Sequence, residues 1–206
     1  MYLSKTPRLL QNLLPSYMWH IPTSEKVLFL TFDDGPIPEA TPWVLDTLHA
    51  YGAKATFFCV GDNVRKYPDI FQRILAEGHA VGNHTFNHLK GWGTDTSDYL
   101  KNVERCAEMV SSPLFRPPYG TLKPSQTRLL KSQYRIVMWD VLSGDFDPKI
   151  SPEKCLQNVL ENVQPGSIVL FHDSVKAETR MRFALPKVLE KLKSEGWKFE
   201  KVAATD

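Results

Sequence analysis

The sequence has few cysteines, little excess charge and no long apolar run, and each shortage excludes a class of protein. Its three cysteines in 206 residues are widely spaced and form no CxxC pair, which argues against a disulfide framework or a cysteine-rich zinc module. We interpret Cys59, Cys106 and Cys155 as reduced, apolar core residues. The net charge is +2 and the basic residues form no stripe, so nucleic acid is not an expected partner.

The N-terminal residues lack the pattern of an export signal or a membrane span. Lys5 and Arg8 precede a leucine-rich stretch, but polar residues interrupt it and Pro15 ends it. No apolar run approaches the roughly 18 residues that cross a bilayer, so no transmembrane segment is expected. We expect residues 1–25 to be an extension packed on the domain, with a membrane-surface position of the leucines as the alternative. The expected location is cytoplasmic, with the cell envelope as the alternative.

Residues 26–206 alternate between short apolar runs and longer amphipathic stretches, and no repeat or long linker divides them. With 42% apolar residues, a chain of this length can bury one full-sized core. Several of the short runs are apolar throughout, which is typical of parallel strands covered on both faces. The seven runs that we predict as strands are residues 27–32, 55–60, 79–82, 114–116, 136–140, 168–171 and 198–202.

Helix signals lie between these runs. Thr41 is expected to cap a helix, Pro42 to occupy its first position and Gly52 to end it. Pro68 and Gly78 delimit the next helix in the same way. The repeated alternation of strands and helices therefore predicts a single α/β domain.

Polar residues cluster where the predicted strands end. They are Asp33 and Asp34 after the first strand, His84 and His88 after the third, Arg116 and Tyr119 after the fourth, Asp145 after the fifth and His172 after the sixth. Barrel enzymes assemble their sites from several such strand ends. In an open sheet, only the loops near a topological switch point converge. We therefore expect a closed or nearly closed barrel, a distorted (β/α)7-type fold.

Two of these clusters together indicate a divalent-metal centre. The paired carboxylates of Asp33 and Asp34 end an apolar run where a sharp turn begins. His84 and His88 stand four residues apart, a spacing that lets both imidazoles converge on one ion. One carboxylate and two histidines make a three-ligand site with open positions, and the second carboxylate is then free to act as a base. Because adjacent strand residues point in opposite directions, we expect the two aspartates to have separate roles.

Five stretches of the chain resemble the motifs of polysaccharide deacetylases of carbohydrate esterase family 4, the NodB homology domain. They are residues 31–36 (TFDDGP), 84–88 (HTFNH), 116–120 (RPPYG), 139–146 (WDVLSGDF) and 170–173 (LFHD), which follow one another in the family's order. The resemblance implies a distorted (β/α) barrel over residues 26–206. It also implies metal-dependent removal of N- or O-acetyl groups from sugars.

The resemblance gives Asp34, His84 and His88 as the ligands of the divalent ion. This mixture of nitrogen and oxygen donors suits zinc, which is the expected metal. Cobalt, nickel and manganese are alternatives that accept the same donors.

The resemblance also implies the catalytic roles. Asp33 would be the general base, and Arg116 would pair with it and keep it ionised. His172 would donate a proton to the leaving amine, and Asp145 would orient either His172 or Arg116. The metal and the main-chain N–H of Tyr119 would stabilise the oxyanion. Asp173 and His79 are expected to be structural.

Several residues near these motifs are expected to contact the substrate. They are Tyr119, Pro118, Phe146, Trp92 and Leu170. Phe146 stands where the family usually has a tryptophan, which offers more area and an N–H donor, so we expect a changed pocket shape. Trp92 lies in a glycine-flanked loop next to the second motif, and Trp139 is a further aromatic near the site.

The expected function is metal-dependent deacetylation of a carbohydrate. An acetylated carbohydrate is therefore the expected partner, and the protein is expected to be a monomer. The expected substrates are N-acetylglucosamine-containing oligo- or polysaccharides of the chitooligosaccharide or peptidoglycan type, which would yield free amine and acetate. An O-acetyl esterase acting on xylan is an alternative with the same metal centre. A non-catalytic carbohydrate-binding relative is the other alternative, and it would be expected to lack a ligand, the base or the acid.

Overall fold

Nine parallel strands form the centre of the structure, a computed structural model that describes residues 3–203. The strands are β1 (Tyr17–Met18), β2 (Val27–Asp33), β3 (Ala55–Cys59), β4 (Ala80–Asn83), β5 (Leu114–Phe115), β6 (Arg135–Val137), β7 (Val141–Leu142), β8 (Ile168–His172) and β9 (Lys198–Phe199). Because the pairings between them are parallel, their carboxyl ends lie along one edge of the sheet.

Helices connect these strands and cover the sheet. They are α1 (Arg8–Leu13), α2 (Thr41–Tyr51), α3 (Gly61–Lys66), α4 (Pro68–Ala76), α5 (Thr96–Ala107), α6 (Pro124–Leu130), α7 (Pro152–Leu160) and α8 (Glu178–Ser194), with a short 3-10 turn at Pro118–Gly120. Within residues 3–203, none of the helices combines the length and the apolar character that a membrane crossing needs.

The sheet is curled, with the strand order β1-β6-β5-β4-β3-β2-β8-β7 and β9 beside β2. The predicted single-domain, distorted (β/α) barrel is therefore confirmed. Strands β1 and β7 stand at the two ends of this order, and the N-terminal segment contacts both ends. Tyr17 pairs with Ile136 of β6, and Lys5 makes an isolated antiparallel bridge to Val141 of β7.

Strand β2 passes through the middle of the core. All of its residues after Val27 are buried, as expected for a strand covered on both faces. The ring of Phe32 stacks on Phe57 of β3 and on Phe171 of β8, with centroid separations of 5.1 and 6.0 Å. Burial of one such side chain contributes about 1.5–3 kcal/mol, so this aromatic row is a large stabilising element of the sheet.

The predicted strand over residues 136–140 is shorter in the structure, because β6 ends at Val137 and β7 begins only at Val141, after a buried carboxylate. Asp140 accepts hydrogen bonds from Lys5 Nζ at 2.7 Å, Ser167 Oγ at 2.9 Å and the main-chain N–H of Ile168 at 2.9 Å. Strand β6 pairs with β1 and β5, whereas β7 pairs with β8, so the chain changes partners near Asp140, whose side chain takes the first main-chain donor of β8. The two-residue strands β1 and β7 carry too little pattern to be recognised in the sequence.

The residues expected to be structural have structural contacts. His79 Nδ1 accepts a hydrogen bond from the Ala55 N–H at 3.2 Å, and the carboxylate of Asp173 accepts one from the Gly35 N–H at 3.0 Å. Thr41 Oγ1 donates to Asp173 at 2.6 Å. Thr41 is therefore not the cap predicted for α2: it is the first helical residue, and its hydroxyl holds the loop that follows β2.

The three cysteines are free and buried, which confirms their predicted role as apolar core residues. Burial raises the pKa of Cys106 to about 12 and raises that of Cys155 well above its ordinary value. Both thiols are therefore protonated at neutral pH.

The position of the core predicts a difference between two leucine substitutions. Leu30→Ala in β2 should lower the free energy of unfolding by about 2–5 kcal/mol, because it leaves a cavity at a fully buried position. Leu129→Ala in α6, where the leucine is 47% exposed, should change it by less than about 0.5 kcal/mol. Urea unfolding followed by circular dichroism measures both, and equal losses would contradict the described core.

Candidate active site

A cavity of about 360 Å³ lies where β2 and β8 end and where the chain leaves β4. Its lining consists of Asp33, Asp34, His84, His88, Tyr119, Gly120, Trp139, Leu142, Phe146, Leu170, His172 and Lys176. Most of the predicted site residues are among them. Arg116 and Asp145 are fully buried and support the lining from behind, while Pro118 and Trp92 lie elsewhere.

Strand register explains why distant residues meet here. Strands β2 and β8 pair so that Asp33 is opposite His172, the last residue of each strand. Strand β4 ends at Asn83, so His84 is the first residue beyond it. The three strand ends therefore bring a carboxylate and two imidazoles to the same edge of the sheet.

Asp34, His84 and His88 form a cluster that fits a divalent metal ion. One ligand atom from each lies within 4.8 Å of the others. Asp34 Oδ1 is 3.3 Å from His88 Nε2 and 3.9 Å from His84 Nε2. This oxygen is buried, and within residues 3–203 it has no hydrogen-bond partner, a state that costs about 1–3 kcal/mol without a cation.

The surroundings of His84 prepare it to bind a metal. Its Nδ1–H donates to the main-chain carbonyl of Arg116 at 2.7 Å, so the lone pair of the neutral ring is on Nε2, the atom that faces Asp34. Burial lowers the pKa of His84, although Asp33 and Asp34 oppose this shift. The neutral imidazole, which is the form that binds metals, is therefore favoured.

The two aspartates face the same cavity. The argument from strand alternation, that their side chains point in opposite directions, is therefore wrong. Strand β2 ends at Asp33, and Asp34 has a left-handed backbone with φ of 87° that turns its side chain back towards the cavity. Asp33 Oδ2 and Asp34 Oδ1 are 3.8 and 3.9 Å from His84 Nε2. Asn63 Nδ2 holds this turn by donating to the Asp34 carbonyl at 2.8 Å.

Electrostatics favour an ionised Asp34. Burial acts to raise its pKa, but contact with His88 and the nearby rings of His172 and His84 outweigh burial and hold the pKa well below the usual range. The carboxylate is therefore charged and available as a ligand at neutral pH.

The predicted pair between Arg116 and Asp33 is present and fully buried. Arg116 Nη1 donates to Asp33 Oδ1 and to Thr31 Oγ1, both at 2.8 Å. Its Nε donates to the Val137 carbonyl at 3.0 Å, and its Nη2 donates to the Met138 carbonyl at 2.7 Å. Because Thr31 Oγ1 and two main-chain carbonyls also hold Arg116, it fixes the position of the Asp33 carboxylate.

The sequence left open whether Asp145 orients His172 or Arg116, and in the structure Asp145 contacts His172. Its Oδ1 accepts from His172 Nδ1 at 2.8 Å, and its Oδ2 accepts from the His172 main-chain N–H at 2.7 Å. Burial opposes protonation of the imidazole, but the charge and hydrogen bond of Asp145 raise the pKa of His172 to about 9. The ring is therefore protonated at neutral pH, with Nε2 as its remaining donor.

One supporting residue was missed by the sequence reasoning. Arg180 Nε donates to the main-chain carbonyl of Asp145 at 2.6 Å and so anchors the loop behind His172. Arg180 belongs to the first turn of α8, where the sequence shows only one of several charged helical residues. Arg180 lies seven residues after the fifth motif, but outside it, and its charge alone gave no signal of this role.

The predicted substrate contacts are only partly brought together. Tyr119 is 64% exposed, and its ring lies 4.8 Å from that of His88, while the ring of Phe146 lies 5.3 Å from that of His172. Trp92, which is 55% exposed, does not line this cavity, and Pro118 is buried in the 3-10 turn. The lining residues absent from the predicted set are Gly120, Trp139, Leu142 and Lys176.

A parallel (β/α) barrel whose strand ends join an Asp-His-His cluster to a further carboxylate and histidine defines a class of metal-dependent hydrolase. The sequence model of a family described as polysaccharide deacetylase matches residues 20–137. Because this match covers more than half of the chain, the protein belongs to the polysaccharide deacetylase family. The predicted family and enzyme class, a carbohydrate deacetylase, are confirmed.

Individual relatives extend the similarity beyond residue 137. The chain is 37% identical to a peptidoglycan-N-acetylglucosamine deacetylase of Bacillus cereus, over 90% of each chain. It is 35% identical to a chitooligosaccharide deacetylase of Azorhizobium caulinodans, over 74% of this chain and 76% of the relative. The crystal structure of the Bc1960 peptidoglycan N-acetylglucosamine deacetylase superposes with a TM-score of 0.87 at 32% identity, covering 96% of this chain and 95% of that one.

The cluster predicts stoichiometric metal binding that depends on both histidines. Protein purified without chelator should hold about one divalent ion per chain, and His84→Ala or His88→Ala should weaken binding by more than about 100-fold, since even outer-sphere changes cost 10- to 100-fold. His49→Ala, at an exposed position in α2, is the matched control and should retain the metal. Elemental analysis after gel filtration makes the comparison, and unchanged metal content in all variants would contradict the ligand set.

The contact between Asp145 and His172 predicts a measurable titration. In metal-free protein, the His172 ring should titrate near pH 9, because the carboxylate stabilises the protonated ring. In Asp145→Asn the charge and hydrogen bond that raise the pKa most are lost, while burial and the weaker effects of Asp34 and Asp33 remain, so the pKa should fall well below 9. NMR of the ring protons follows this change, and His79, whose pKa burial lowers to about 4, is the internal control. An unmoved His172 titration in the variant would rule out Asp145 as the cause.

Proposed function

We propose that this enzyme hydrolyses the N-acetyl group of N-acetylglucosamine residues in a glycan, releasing acetate and leaving a free amine on the sugar. The observation that carries the proposal is that Asp33 and His172 lie opposite each other on paired strands, beside the Asp34-His84-His88 cluster. A base and an acid therefore flank one cavity. Two of the relatives described above are peptidoglycan N-acetylglucosamine deacetylases, which supports the same substrate class.

Asp34, His84 and His88 would hold the divalent ion, and zinc is the metal that their donor atoms suit best. When bound, such an ion supplies Lewis-acid chemistry: it makes water more acidic and polarises a carbonyl. The chain supplies one anionic and two neutral ligands, which leave positions open for water and substrate.

Asp33 is the proposed general base. Its Oδ1 is held by Arg116, so Oδ2 is the oxygen that remains to accept a proton from the attacking water. Arg116 is enclosed by main-chain carbonyls and cannot swing away, which keeps the carboxylate oriented.

His172 is the proposed general acid. Its Nδ1 is committed to Asp145, so Nε2 is the nitrogen from which a proton can reach the leaving amine. The raised pKa of His172, about 9, keeps this proton in place at neutral pH. An amine leaves far more easily after protonation, so a positioned acid suits cleavage of an amide.

The remaining lining residues would bind the acetyl group and the sugar. Leu142, Leu170 and Trp139 offer an apolar wall for the methyl group, and Phe146 extends that wall beside His172. The main-chain N–H of Tyr119, at the rim of the cavity, is the proposed donor to the developing oxyanion.

Acetate release from matched substrates tests the function. N-Acetylglucosamine oligomers and peptidoglycan strands should yield acetate in the presence of Zn²⁺, and acetylated xylan distinguishes an O-acetyl esterase. Asp33→Asn should lower kcat by about 10²- to 10⁴-fold while metal content is retained, because an amide cannot accept the proton. Full activity of that variant would show that another group is the base. Absence of acetate from every N-acetylated substrate would refute N-deacetylation.

The acid role of His172 predicts a dependence on the leaving group. His172→Ala should depress hydrolysis of N-acetylated sugars much more than hydrolysis of nitrophenyl acetate, whose leaving group departs without protonation. Both substrates are measured on variant protein shown to be folded and metal-loaded. An equal fall in both activities would assign His172 a structural role instead.

A further inference from the structure

A second cavity, of about 420 Å³, lies next to the catalytic one. It is lined by Leu14, Tyr17, Trp92, Gly120, Thr121, Leu122, Pro124, Thr127, Arg128 and Lys131. Gly120 lines both cavities, so the turn that carries Tyr119 is their common border. A chain-like ligand that fills the catalytic cavity can therefore continue into the second one.

An exposed aromatic side chain in a fixed loop forms one part of this second cavity. Trp92 is 55% exposed and lines the cavity, so the face of its indole is open to a ligand there. Its loop is anchored: Gln126 Nε2 donates to the Gly91 carbonyl at 3.1 Å, and Lys123 Nζ donates to the Thr94 carbonyl at 2.6 Å. The indole is thus presented on a preorganised support, as a platform for the face of a sugar ring.

The charged residues that line the second cavity are all basic. Arg128 and Lys131 are its charged residues, and no carboxylate is among the lining residues. Within residues 3–203 neither cation takes part in an ion pair of 4.0 Å or less. Two unpaired cations beside an aromatic platform suit a sugar that carries an anionic group.

A polar group in the same wall lacks a partner. The hydroxyl oxygen of Thr121 is buried and, within the described part of the chain, makes no hydrogen bond. Thr121 follows directly on Gly120, the residue shared by the two cavities. Rotation of its side chain towards the cavity would give this hydroxyl a partner on a ligand.

We propose that the second cavity binds the glycan segment adjoining the reacting sugar and recognises a carboxylate on that segment. This rests on the proposed function, since the segment is placed by the acetylated sugar in the catalytic cavity. Trp92 packs on a sugar face, while Arg128 and Lys131 bind the carboxylate. The carboxylate belongs to a lactyl ether, as in N-acetylmuramic acid, or to a peptide attached to it.

The test compares substrates of the same length that differ only in this charge. One is a tetrasaccharide of alternating N-acetylglucosamine and N-acetylmuramic acid with free lactyl carboxylates, and the other is its lactyl amide. The wild-type enzyme should prefer the carboxylate form by about 10-fold in kcat/KM, mainly through KM, because two partly exposed ion pairs together give about that factor. Raising the salt concentration to about 0.5 M should reduce the preference.

Variants assign the preference to the cavity. Arg128→Gln combined with Lys131→Gln should abolish it, by raising KM for the carboxylate form towards KM for the amide form. Lys187→Gln combined with Lys191→Gln removes the same charge from the exposed face of α8 and should keep the preference. Trp92→Ala should lower kcat/KM for both tetrasaccharides by a similar factor. A strand whose lactyl groups carry peptides distinguishes a peptide carboxylate from the lactyl one.

Two outcomes would overturn the proposal: equal kcat/KM for the two tetrasaccharides, or a preference that survives in the Arg128→Gln, Lys131→Gln variant. If the wild-type enzyme releases no acetate from either tetrasaccharide or from the N-acetylglucosamine oligomers, the proposed function fails on its own. Calorimetric measurement of how tightly the two tetrasaccharides bind then tests the proposed site in the second cavity. Tighter binding of the carboxylate form that is lost in the double variant supports the site, and equal binding refutes it.

Discussion

One buried guanidinium connects the fold to its chemistry. Arg116 follows β5, yet its donors reach Thr31 and Asp33 of β2 and the carbonyls of Val137 and Met138 at the end of β6. Burial of a charge is costly unless it is paired and its donors are used, and here one carboxylate and three neutral oxygens satisfy it. The same contacts fix the relative positions of strand ends that would otherwise be joined only through their neighbours in the sheet. Loss of the guanidinium would thus disturb the barrel interior and the proposed base together.

The sequence predicts what its local patterns encode. The apolar runs locate most strands, and the clusters at their ends locate the cavity, because parallel strands bring their carboxyl ends to one edge. The pairing of Arg116 with Asp33 follows from the family motifs. The orientation of Asp34 does not follow, because a left-handed backbone at an aspartate has no sequence signature.

Other parts of the site escape sequence reasoning because they depend on tertiary packing. Arg180 supports Asp145 from a helix that starts about thirty residues later, and nothing in α8 distinguishes it from its charged neighbours. Trp92 lies beside the second motif in the chain, but its loop is anchored to Gln126 of α6 and faces the second cavity. Proximity along the chain is therefore a poor guide to which loop residues share a pocket.

Backbone strain in this protein is concentrated at its site. The non-glycine residues with positive φ within residues 3–203 are Asp34, Thr85, His88 and Tyr119, and all belong to the loops that carry or adjoin the metal cluster. Such conformations cost about 1–3 kcal/mol each at unfavourable residues, and the cost is highest for a β-branched threonine. These loops therefore hold the site residues in position at a cost in folding free energy. Selection for thermal stability alone would relax them, and the ligands would lose their convergence before the barrel lost its fold.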